Sequence, residues 1–399
     1  MTDMSNPVSV FSKRTVTLRV GGVHLELLAA HDLFSSHTID AGSRLLLRSL
    51  TSTTPPASIL DLGCGYGTLG LGLKARFPET ELDLVDRDAL AIHFASANAH
   101  SNGFAGARAY ASLGYDGIPA TSTYDLIVSN LPGKAGEPVI RDLLVGASTV
   151  LTSGGMVAIV VVASLAASTT ELLESDGAEI VERLEGKAHT VLHYRPDPAN
   201  RALRRSAFRG GVYRRNEGAF QRAGLSWRAV TSWGLPEFDS LGFGTSLMID
   251  LIVNGHLSGP RTLVVNPGQG HAACAIAHGC APNSMTLAGR DLLELETSRL
   301  NVERNGYPAI DLQIEHFPVP GPAERPYDLI AASLPPKLPS EITEESVRTL
   351  AAQVADGGTL ILGGRSTTVT RSLQSRHLAS FTLRERSRRH GYSAARLQR

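Results

Sequence analysis

Short apolar runs alternate with amphipathic stretches along most of the chain. Runs rich in Leu, Ile and Val are predicted as strands at 58–62, 81–85, 124–129 and 156–162. Apolar residues at helical spacing follow the first two runs and predict helices at 68–76 and 89–102. Strands that alternate with helices form a parallel sheet with helices on both of its faces. The pattern therefore predicts an α/β fold.

The same succession of motifs occurs twice. Four pairs of motifs are separated by 203 residues, and the paired copies begin at Leu84 and Leu287, Asn98 and Asn301, Tyr124 and Tyr327, and Ser153 and Asp356. The glycine-containing block at 58–67 has a weaker copy at 262–272, which we align with a spacing of 205. A constant spacing over several motifs indicates a tandem duplication. We therefore predict two domains, residues 1–198 and 202–399, with a linker within 195–205.

The charge is distributed unevenly between the two predicted domains. With 399 residues, the chain is long enough for two or three domains that each bury a core. Residues 1–198 contain 14 Lys and Arg against 21 Asp and Glu, whereas residues 199–399 contain 24 against 17. A basic half suggests contact with a polyanion. The alternative is that the surface charges of two duplicated halves have drifted apart.

Arginines concentrate near the end of the chain and beside the linker. Nine arginines and one acid, Glu385, lie between Arg365 and Arg399. Because guanidinium groups bind phosphates and stack on bases, this composition favours RNA contact over a merely solvated basic surface. The candidate RNA-binding arginines are Arg204, Arg205, Arg388 and Arg389.

The sequence lacks the features of several other protein classes. Its three cysteines, Cys64, Cys274 and Cys280, form no Cys-x-x-Cys pair, which predicts a reducing cytoplasm and no disulfide framework. The first residues lack the apolar segment of a signal peptide, and the most apolar run, 156–167, is too short to cross a membrane. We find no zinc-ligand spacing, phosphate-loop lysine motif or Ser-His-Asp arrangement, and we expect no metal.

A glycine-rich turn follows the first predicted strand, in the sequence Asp61-Leu-Gly-Cys-Gly-Tyr-Gly67. Glycines let the backbone turn tightly and approach a ligand closely, and the following helix points its amides at that ligand. The turn alone also suits a dinucleotide. Two features narrow the prediction. Asp86 ends the next strand, where a carboxylate can accept hydrogen bonds from ribose hydroxyls, and the strand at 124–129 runs into Asn130-Leu-Pro132.

This combination resembles class I S-adenosylmethionine-dependent methyltransferases. More narrowly, it resembles the small-methyltransferase group that includes the ribosomal RNA guanine-N2 methyltransferases. Members of that group precede the glycine turn with a stretch similar to 32–47, and some carry two tandem copies, one of them degenerate. The resemblance implies two tandem Rossmann-like domains, of which the N-terminal one binds S-adenosylmethionine. It implies cofactor contacts by Gly63, Gly65 and Gly67 at the methionine end, Asp61 near its amino group, Asp86 at the ribose, Ser112 by the adenine, and Asp40 and Ser43 on the methionine side.

The resemblance places methyl transfer at Asn130 and Pro132. In the family, an Asn-Pro-Pro motif followed by an aromatic residue holds an exocyclic amine and stacks on its base. This chain has Asn130-Leu-Pro-Gly133, so the first proline and the aromatic residue are missing. Phe34 and His37 are the candidates for supplying a ring in its place.

The resemblance implies that the chain methylates a guanine exocyclic amine of ribosomal RNA, either as a housekeeping modification or as protection from an antibiotic. Two other functions stay open. One is a small-molecule methyltransferase of a biosynthetic pathway, and the other is a non-catalytic scaffold that binds the cofactor. The sequence does not determine the oligomeric state.

The second half lacks several of these residues. In the alignment above, Asp61 becomes Asn266, Gly67 becomes Ala272, Asp86 becomes Gly289 and Asn130 becomes Ser333. Loss of the ribose carboxylate removes charge-assisted hydrogen bonds worth roughly 1.5–3 kcal/mol. We expect a degenerate domain that does not bind the cofactor productively and serves as a platform for RNA. Binding of a variant ligand is the alternative.

Overall fold

Two seven-stranded sheets organise the chain in its computed structural model, which describes residues 7–20, 22–51, 54–197, 199, 205–307, 310–319, 321, 323–336 and 338–399. The N-terminal unit is Ser12–Tyr213, and the C-terminal unit combines Met1–Phe11 with Arg214–Arg399. The division falls beyond the predicted linker at 195–205. One reason is Asp116, whose carboxylate accepts hydrogen bonds from Ser206 Oγ and from the Ala207 amide, both at 2.7 Å.

The N-terminal unit contains nine strands and five α-helices among its described residues. In chain order they are β1 Ser12–Val20, β2 Val23–Ala30, α1 Ala41–Ser49, β3 Ser58–Leu62, α2 Thr68–Arg76, β4 Glu81–Asp86, α3 Ala89–Ser101, β5 Ala107–Ala111, β6 Tyr124–Asn130, α4 Glu137–Val145, β7 Leu151–Val162, α5 Ala163–Ser175, β8 Glu179–Glu185 and β9 His189–Arg195. β1 and β2 form a separate antiparallel hairpin.

The N-terminal sheet has the strand order β5-β4-β3-β6-β7-β9-β8. Strands β3 to β7 are parallel, and β9 runs antiparallel to both β7 and β8. The predicted α/β fold is confirmed, and the four strands predicted from the sequence are parallel, whereas the antiparallel strands β8 and β9 were not predicted. Only residues 186–188 join β8 to β9, and so short a connection permits antiparallel pairing alone.

Central strands of this sheet are buried on both faces. In β6, Leu126, Ile127 and Val128 are all at most 2% exposed. An uninterrupted apolar run of this kind is typical of a parallel strand with helices on both sides. Because parallel strands end at the same edge of the sheet, β3, β4 and β6 bring Asp61, Asp86 and Asn130 to one edge.

The C-terminal unit repeats this architecture. Its strands and α-helices are β10 Arg214–Arg222, β11 Leu225–Ser232, α6 Phe243–Asn254, β12 Arg261–Val265, α7 His271–Gly279, β13 Ser284–Gly289, α8 Leu292–Arg304, β14 Asp311–His316, β15 Tyr327–Ser333, α9 Ser340–Ala352, β16 Val354–Arg365, α10 Ser366–Ser372, β17 Thr382–Arg389 and β18 Tyr392–Gln398. The sheet order β14-β13-β12-β15-β16-β18-β17 is that of the first sheet. The predicted tandem arrangement of two Rossmann-like domains is confirmed.

The repeat corrects the alignment of the glycine turn. β12 and α7 begin 203 residues after β3 and α2, so the spacing of 205 proposed for this turn is wrong. Gly67 precedes α2 with φ at 93°, and Gly270 precedes α7 with φ at 84°. Gly270 is therefore the counterpart of Gly67, and Ala272 lies inside the following helix. The error arose because glycines were matched instead of the ends of strands and helices.

The same shift changes two further pairs. Val264, within β12, is the counterpart of Asp61, so the second copy has an apolar side chain where the first has a carboxylate. Asn266 is the counterpart of Gly63, and both have positive φ, 51° and 77°. The backbone turn has therefore survived in the second copy although its first glycine has been replaced.

An asparagine on α3 ties the glycine turn of the N-terminal unit to its β-hairpin. Asn98 Nδ2 donates to the Leu28 carbonyl at 3.1 Å and to the Tyr66 carbonyl at 2.9 Å. Its Oδ1 accepts from the Leu28 amide at 2.7 Å. One buried side chain thus satisfies three backbone groups that would otherwise be unpaired.

Asn301 on α8 makes the equivalent three bonds in the C-terminal unit. Its Nδ2 donates to the Val230 and Gln269 carbonyls, and its Oδ1 accepts from the Val230 amide, all at 2.8 Å. The sequence contained the signal for this pair, because both asparagines stand in motifs 203 residues apart. A structural role was not assigned to either of them from the sequence.

Candidate active site

Three glycines form an open turn at the end of β3. Gly63, Gly65 and Gly67 have φ of 77°, 54° and 93°, a region that strains other residues. A Cβ on Gly63 or Gly65 would meet no atom within 4 Å, whereas one on Gly67 would approach Leu71 Cδ1 to 2.7 Å. Gly67 is therefore required by packing against α2. Gly63 and Gly65 leave their side of the backbone clear, as a cradle for a ligand does.

Asp61 lies at the base of this turn and is fully buried. Its Oδ2 accepts a hydrogen bond from the Gly70 amide at 2.7 Å, while its buried Oδ1 has no partner. Burial raises the pKa of Asp61 to about 7; the Gly70 amide opposes this shift, and the nearby Asp86 carboxylate adds to it. A buried acceptor without a donor is costly. The site is thus suited to a ligand that brings a donor or a positive charge.

Asp86 ends β4 beside the same turn. Its Oδ2 accepts from the Gly65 amide at 3.0 Å, and its Oδ1 accepts from the Asp88 amide at 2.9 Å. Burial raises the pKa of Asp86 to about 6, although these two amides pull it down. Each carboxylate oxygen keeps a second lone pair. Asp86 can therefore accept hydroxyl donors while it holds the turn in place.

Ser112 follows β5 at the same edge of the sheet, where its amide donates to the Asp86 carbonyl at 2.9 Å. Its hydroxyl donates to the Gly114 carbonyl at 2.6 Å and accepts from the Gly117 amide at 2.9 Å. The side chain is buried, and these bonds build the local turn. Its predicted position beside an adenine stays a prediction.

Asn130, at the end of β6, is held by two residues that the sequence predicted for the site. Its Nδ2 donates to Asp40 Oδ2 at 3.1 Å and to Ser43 Oγ at 3.2 Å. Asp40 also caps α1 by accepting from the Ser43 amide at 3.0 Å. With its amide nitrogen bound in this way, Asn130 presents its carbonyl oxygen as an acceptor.

The loop from 31 to 40, between β2 and α1, presents an aromatic side chain to solvent. Phe34 is 72% exposed, and its neighbours Asp32 and Ser35 both have positive φ. The loop is anchored by Tyr66 of the glycine turn, whose hydroxyl donates to the Ser35 carbonyl at 3.2 Å. Such backbone strain in residues other than glycine is typical of binding loops.

His37 and Pro132 have different surroundings. His37 Nε2 lies 2.6 Å from Lys13 Nζ, so this ring is already engaged in a contact. Of the two candidates for base stacking, Phe34 is therefore the better placed. Pro132 is exposed just after β6, next to Leu131, whose amide donates to the Val160 carbonyl at 3.0 Å.

The predicted RNA-binding arginines belong to different units, Arg205 to the N-terminal unit and Arg388 and Arg389 to β17 of the C-terminal unit. Arg204 lies outside the described residues. Arg205, Arg388 and Arg389 are exposed. The Arg389 guanidinium stands 5.7 Å from the ring centroid of Phe243 on α6.

Two further findings concern the described ranges. There, no group of three or more His, Cys, Asp or Glu side chains is arranged to hold a metal ion. None of the described helices combines the length and the apolar character that a membrane crossing requires.

A family model described as "Methyltransferase small domain" matches residues 24–191, which contain the glycine turn, Asp86 and Asn130. This part of the chain is similar to the methyltransferase small domain family. The family uses S-adenosylmethionine as its methyl donor. The cleared side of Gly63 and Gly65 and the unpartnered Oδ1 of Asp61 fit such a group, which carries an ammonium donor and a sulfonium charge.

Known proteins resemble the methyltransferase small domain in sequence. The uncharacterized protein YbxB of Bacillus subtilis is 29% identical over 178 residues, 44% of this chain and 89% of that protein. Ribosomal RNA small subunit methyltransferase C of Haemophilus ducreyi is 38% identical over 141 residues, 34% of this chain and 42% of that protein. The match thus spans about two fifths of the latter relative.

One solved structure resembles both units together. The 16S rRNA N2 G1207 methyltransferase of Thermus thermophilus, in complex with AdoMet and guanosine, has a TM-score of 0.69 at 16% identity. The alignment covers 97% of this chain and 98% of that chain. At this identity the likeness concerns the fold, which is that of two tandem methyltransferase-like domains.

The C-terminal unit repeats this fold with other residues at the positions of the candidate site. Gly289 and Ser333 stand where Asp86 and Asn130 stand in the first unit. A Cβ on Gly289 would lie 3.4 Å from Asn266 Oδ1, and Asn266 Nδ2 donates to the Ser333 carbonyl at 2.8 Å. The Asn266 side chain therefore crosses the space that Gly63 leaves clear in the first unit. This unit is the degenerate one.

Proposed function

We propose that the N-terminal unit transfers a methyl group from S-adenosylmethionine to the exocyclic amine of a guanine in small-subunit ribosomal RNA. The observation that carries this proposal is the fixed amide of Asn130, 3.1 Å from Asp40 Oδ2. Its free carbonyl oxygen stands at the edge of the sheet that also presents the glycine turn. An acceptor at this position suits the N–H groups of an aromatic amine.

When bound, the donor supplies a methyl group that its sulfonium already activates, so the site needs no strong base. The work of the protein is orientation. Asn130 Oδ1 would accept a hydrogen bond from an N–H of the amine, which directs the nitrogen lone pair towards the methyl group, and the proton that the methylated nitrogen loses would pass to solvent. Asp40 and Ser43 keep the Asn130 amide from rotating, and Pro132 stiffens the backbone that follows.

The relatives support the choice of substrate class. Ribosomal RNA small subunit methyltransferase C shares 38% identity with 141 residues of this chain. The Thermus thermophilus protein, whose name specifies N2 of a guanine in 16S rRNA, has the same two-domain fold. We place the activity in the cytoplasm, in keeping with the free thiols of Cys64, Cys274 and Cys280.

We assign further roles to the remaining predicted residues. Gly63, Gly65, Gly67, Asp61 and Asp86 would hold the donor, with Ser112 near its base. Phe34 would stack on the target guanine in place of the missing aromatic residue. Arg204, Arg205, Arg388 and Arg389 would contact RNA outside the reaction site.

The test is transfer of radiolabelled methyl groups. The full chain is incubated with labelled donor and, separately, with small ribosomal subunits, protein-free 16S RNA, total protein and a small-molecule extract. We expect label in the RNA and a single labelled nucleoside, N2-methylguanosine, after digestion. Asp86→Ala and Asn130→Ala should abolish or strongly reduce labelling, whereas Ser333→Ala, the matched change in the C-terminal unit, should not.

One observation favours a second candidate, a small-molecule methyltransferase. Gly133 replaces the aromatic residue of the family motif, and a Cβ there would already come within 3.1 Å of Leu165 Cδ1. An aromatic side chain at this position would therefore need Leu165 to move. Label in the extract and none in RNA would establish this candidate. A biological effect that survives in Asp86→Ala would instead point to a non-catalytic scaffold.

A further inference from the structure

A positively charged groove lies between β1 and α1 of the N-terminal unit. It encloses about 390 Å³ and is lined by Arg19 of β1 and by Arg44 and Arg48 of α1. Thr17 and Thr51 complete its polar lining. All three arginines are exposed. Among the described strands, β1 pairs only with β2.

The described residues include no ion pair between a groove arginine and a carboxylate. In the described part of the N-terminal unit, the arginines with ion pairs are Arg108, Arg141, Arg183 and Arg195. None of the three groove arginines is among them. Arg44 and Arg48 also stand one helical turn apart, where like charges repel. Three exposed arginines that make no described ion pair, in a half of the chain that has more acids than bases, suit an anionic ligand.

The groove begins next to the residues of methyl transfer. The Arg44 amide donates to the Asp40 carbonyl at 3.0 Å, and the Arg44 Nε donates to the Ile39 carbonyl at 3.2 Å. Asp40 in turn holds the side chain of Asn130. From Arg44 to Arg48 the helix rises by about 6 Å. The line of positive charge thus leads away from the reaction site along α1.

We infer that this groove binds the sugar-phosphate backbone of the RNA strand that contains the target nucleotide. The identity of the strand as substrate rests on the function proposed above. Guanidinium groups bind phosphates through paired N–H donors, and charges repeated along a helix suit the repeated charges of a backbone. A concave groove does not fit a flat lipid surface. An acidic peptide is the competing ligand that the experiment must exclude.

The test compares two triple variants of the full chain. In the first, Arg19→Gln, Arg44→Gln and Arg48→Gln remove the charge of the groove. In the second, Arg141→Gln, Arg183→Gln and Arg195→Gln remove the same charge from exposed positions of the same unit that have carboxylate partners. A third variant carries lysine at the three groove positions.

The probe is a fluorescein-labelled single-stranded RNA of mixed sequence and about 20 nucleotides, longer than common single-strand site sizes. Its binding is followed by fluorescence anisotropy at several KCl concentrations, with polyglutamate as a competitor. Donor affinity is measured by calorimetry on the same preparations, and unchanged donor affinity shows that the unit is folded.

Three lost phosphate contacts should make the plot of log affinity against log salt less steep by about 2, equivalent to about 100-fold weaker binding at 0.1 M salt. The lysine variant should keep most of the salt dependence of RNA affinity. The control variant with Arg141→Gln, Arg183→Gln and Arg195→Gln should bind RNA as the unaltered chain does. Equal losses in both glutamine triples, or no loss in the groove variant, would overturn the inference. So would polyglutamate that displaces RNA from the unaltered chain but not from the groove variant.

The outcome separates this inference from the proposed function. If the groove variant binds RNA and transfers labelled methyl groups to RNA as the unaltered chain does, the groove is not the RNA-binding site. The methyltransferase assignment then still stands. If the groove arginines govern RNA binding but no label ever enters RNA, the groove stands as an RNA site and the substrate assignment fails.

Discussion

Asp40 fixes the side chain of Asn130 from across 90 residues of sequence, by accepting a hydrogen bond from its amide nitrogen at 3.1 Å. An amide group can otherwise rotate and exchange the places of its donor and its acceptor. The bond therefore decides which atom of Asn130 faces a substrate. Asp40 combines this task with capping α1, so the orientation of the amide depends on the placement of that helix.

Removing the Asn130 amide should impair catalysis more than cofactor binding. Asn130→Ala should lower the single-turnover rate of methyl transfer by about 100-fold, the size expected when a reactant is no longer oriented. Donor affinity by calorimetry should change little. Ser333→Ala, at the equivalent position of the C-terminal unit, serves as the control. An unchanged rate in Asn130→Ala would remove Asn130 from the mechanism.

The buried carboxyl of Asp61 should make stability depend on pH. Its pKa is about 7 in the folded chain, above its ordinary value of 3.8. Because the folded state holds the proton more tightly, the stabilisation from protonated Asp61 is present below about pH 4 and is lost as the pH rises through 7.

Asp61→Asn tests this dependence, since an amide stays neutral and can still accept from the Gly70 amide. Relative to the unaltered chain without donor, the free energy of unfolding of this variant should rise between pH 4 and 7, by at most about 1.4 kcal/mol per pH unit. Urea denaturation across this range measures the difference. A difference that does not vary with pH would contradict the assigned shift.

Loss of the exposed ring of Phe34 should weaken the use of RNA. Stacking of a base on an aromatic side chain is worth roughly 1–3 kcal/mol, so Phe34→Ala should lower kcat/KM for RNA by about 5- to 150-fold. Phe34→Trp should restore it. Because the side chain is 72% exposed, the melting temperature should not move. Equal kcat/KM in the alanine variant would show that another residue contacts the base.

The exposed arginines of β17 should contribute to RNA binding through phosphates. Replacing both Arg388 and Arg389 by glutamine should make the salt dependence of RNA affinity less steep by about 1.4. The control replaces Arg299 and Arg348, which pair with glutamates in the same unit. If both double variants lower the slope equally, the effect reflects total charge and not a site.

The asparagines of α3 and α8 should be required for stability and not for chemistry. Asn98→Ala leaves the Leu28 amide and carbonyl and the Tyr66 carbonyl without their partner, at a cost of roughly 2–4 kcal/mol in the free energy of unfolding. Asn301→Ala should cost a similar amount. Asn102→Ala, which removes more exposed bonds, is the milder control. Losses of the same small size in all three variants would contradict this role.

Much of the fold followed from sequence because local signals agreed with tertiary packing. The predicted strand at 58–62 and helix at 68–76 have the predicted bounds, since a glycine turn separates them sharply. The hairpin of β8 and β9 escaped prediction. β8 reads Glu179-Ile-Val-Glu-Arg-Leu-Glu185, a charged strand at the edge of the sheet with no continuous apolar run to announce it.

The site was predictable only where one motif contained the necessary residues. The glycine turn, Asp86 and Asn130 each follow a strand, and the rule that parallel strands end at one edge brings them together. The groove of Arg19, Arg44 and Arg48 was not predicted, because its two walls come from a hairpin strand and a helix that no sequence rule pairs. The correspondence of Gly67 to Gly270 was missed for another reason. The two turns were aligned by the spacing of their glycines and not by the ends of the strands before them.

The bonds of Asn301 go to backbone groups, which remain when the side chains at those positions change, and they avoid Val264, Asn266, Gly289 and Ser333, where the site residues were replaced. Selection for a stable shape and selection for catalysis therefore act on separate parts of the sequence in this architecture. A duplicated copy can therefore accumulate substitutions at its site residues and still fold. Such a copy can acquire a new binding function, because its folding does not depend on the ligand that it has lost.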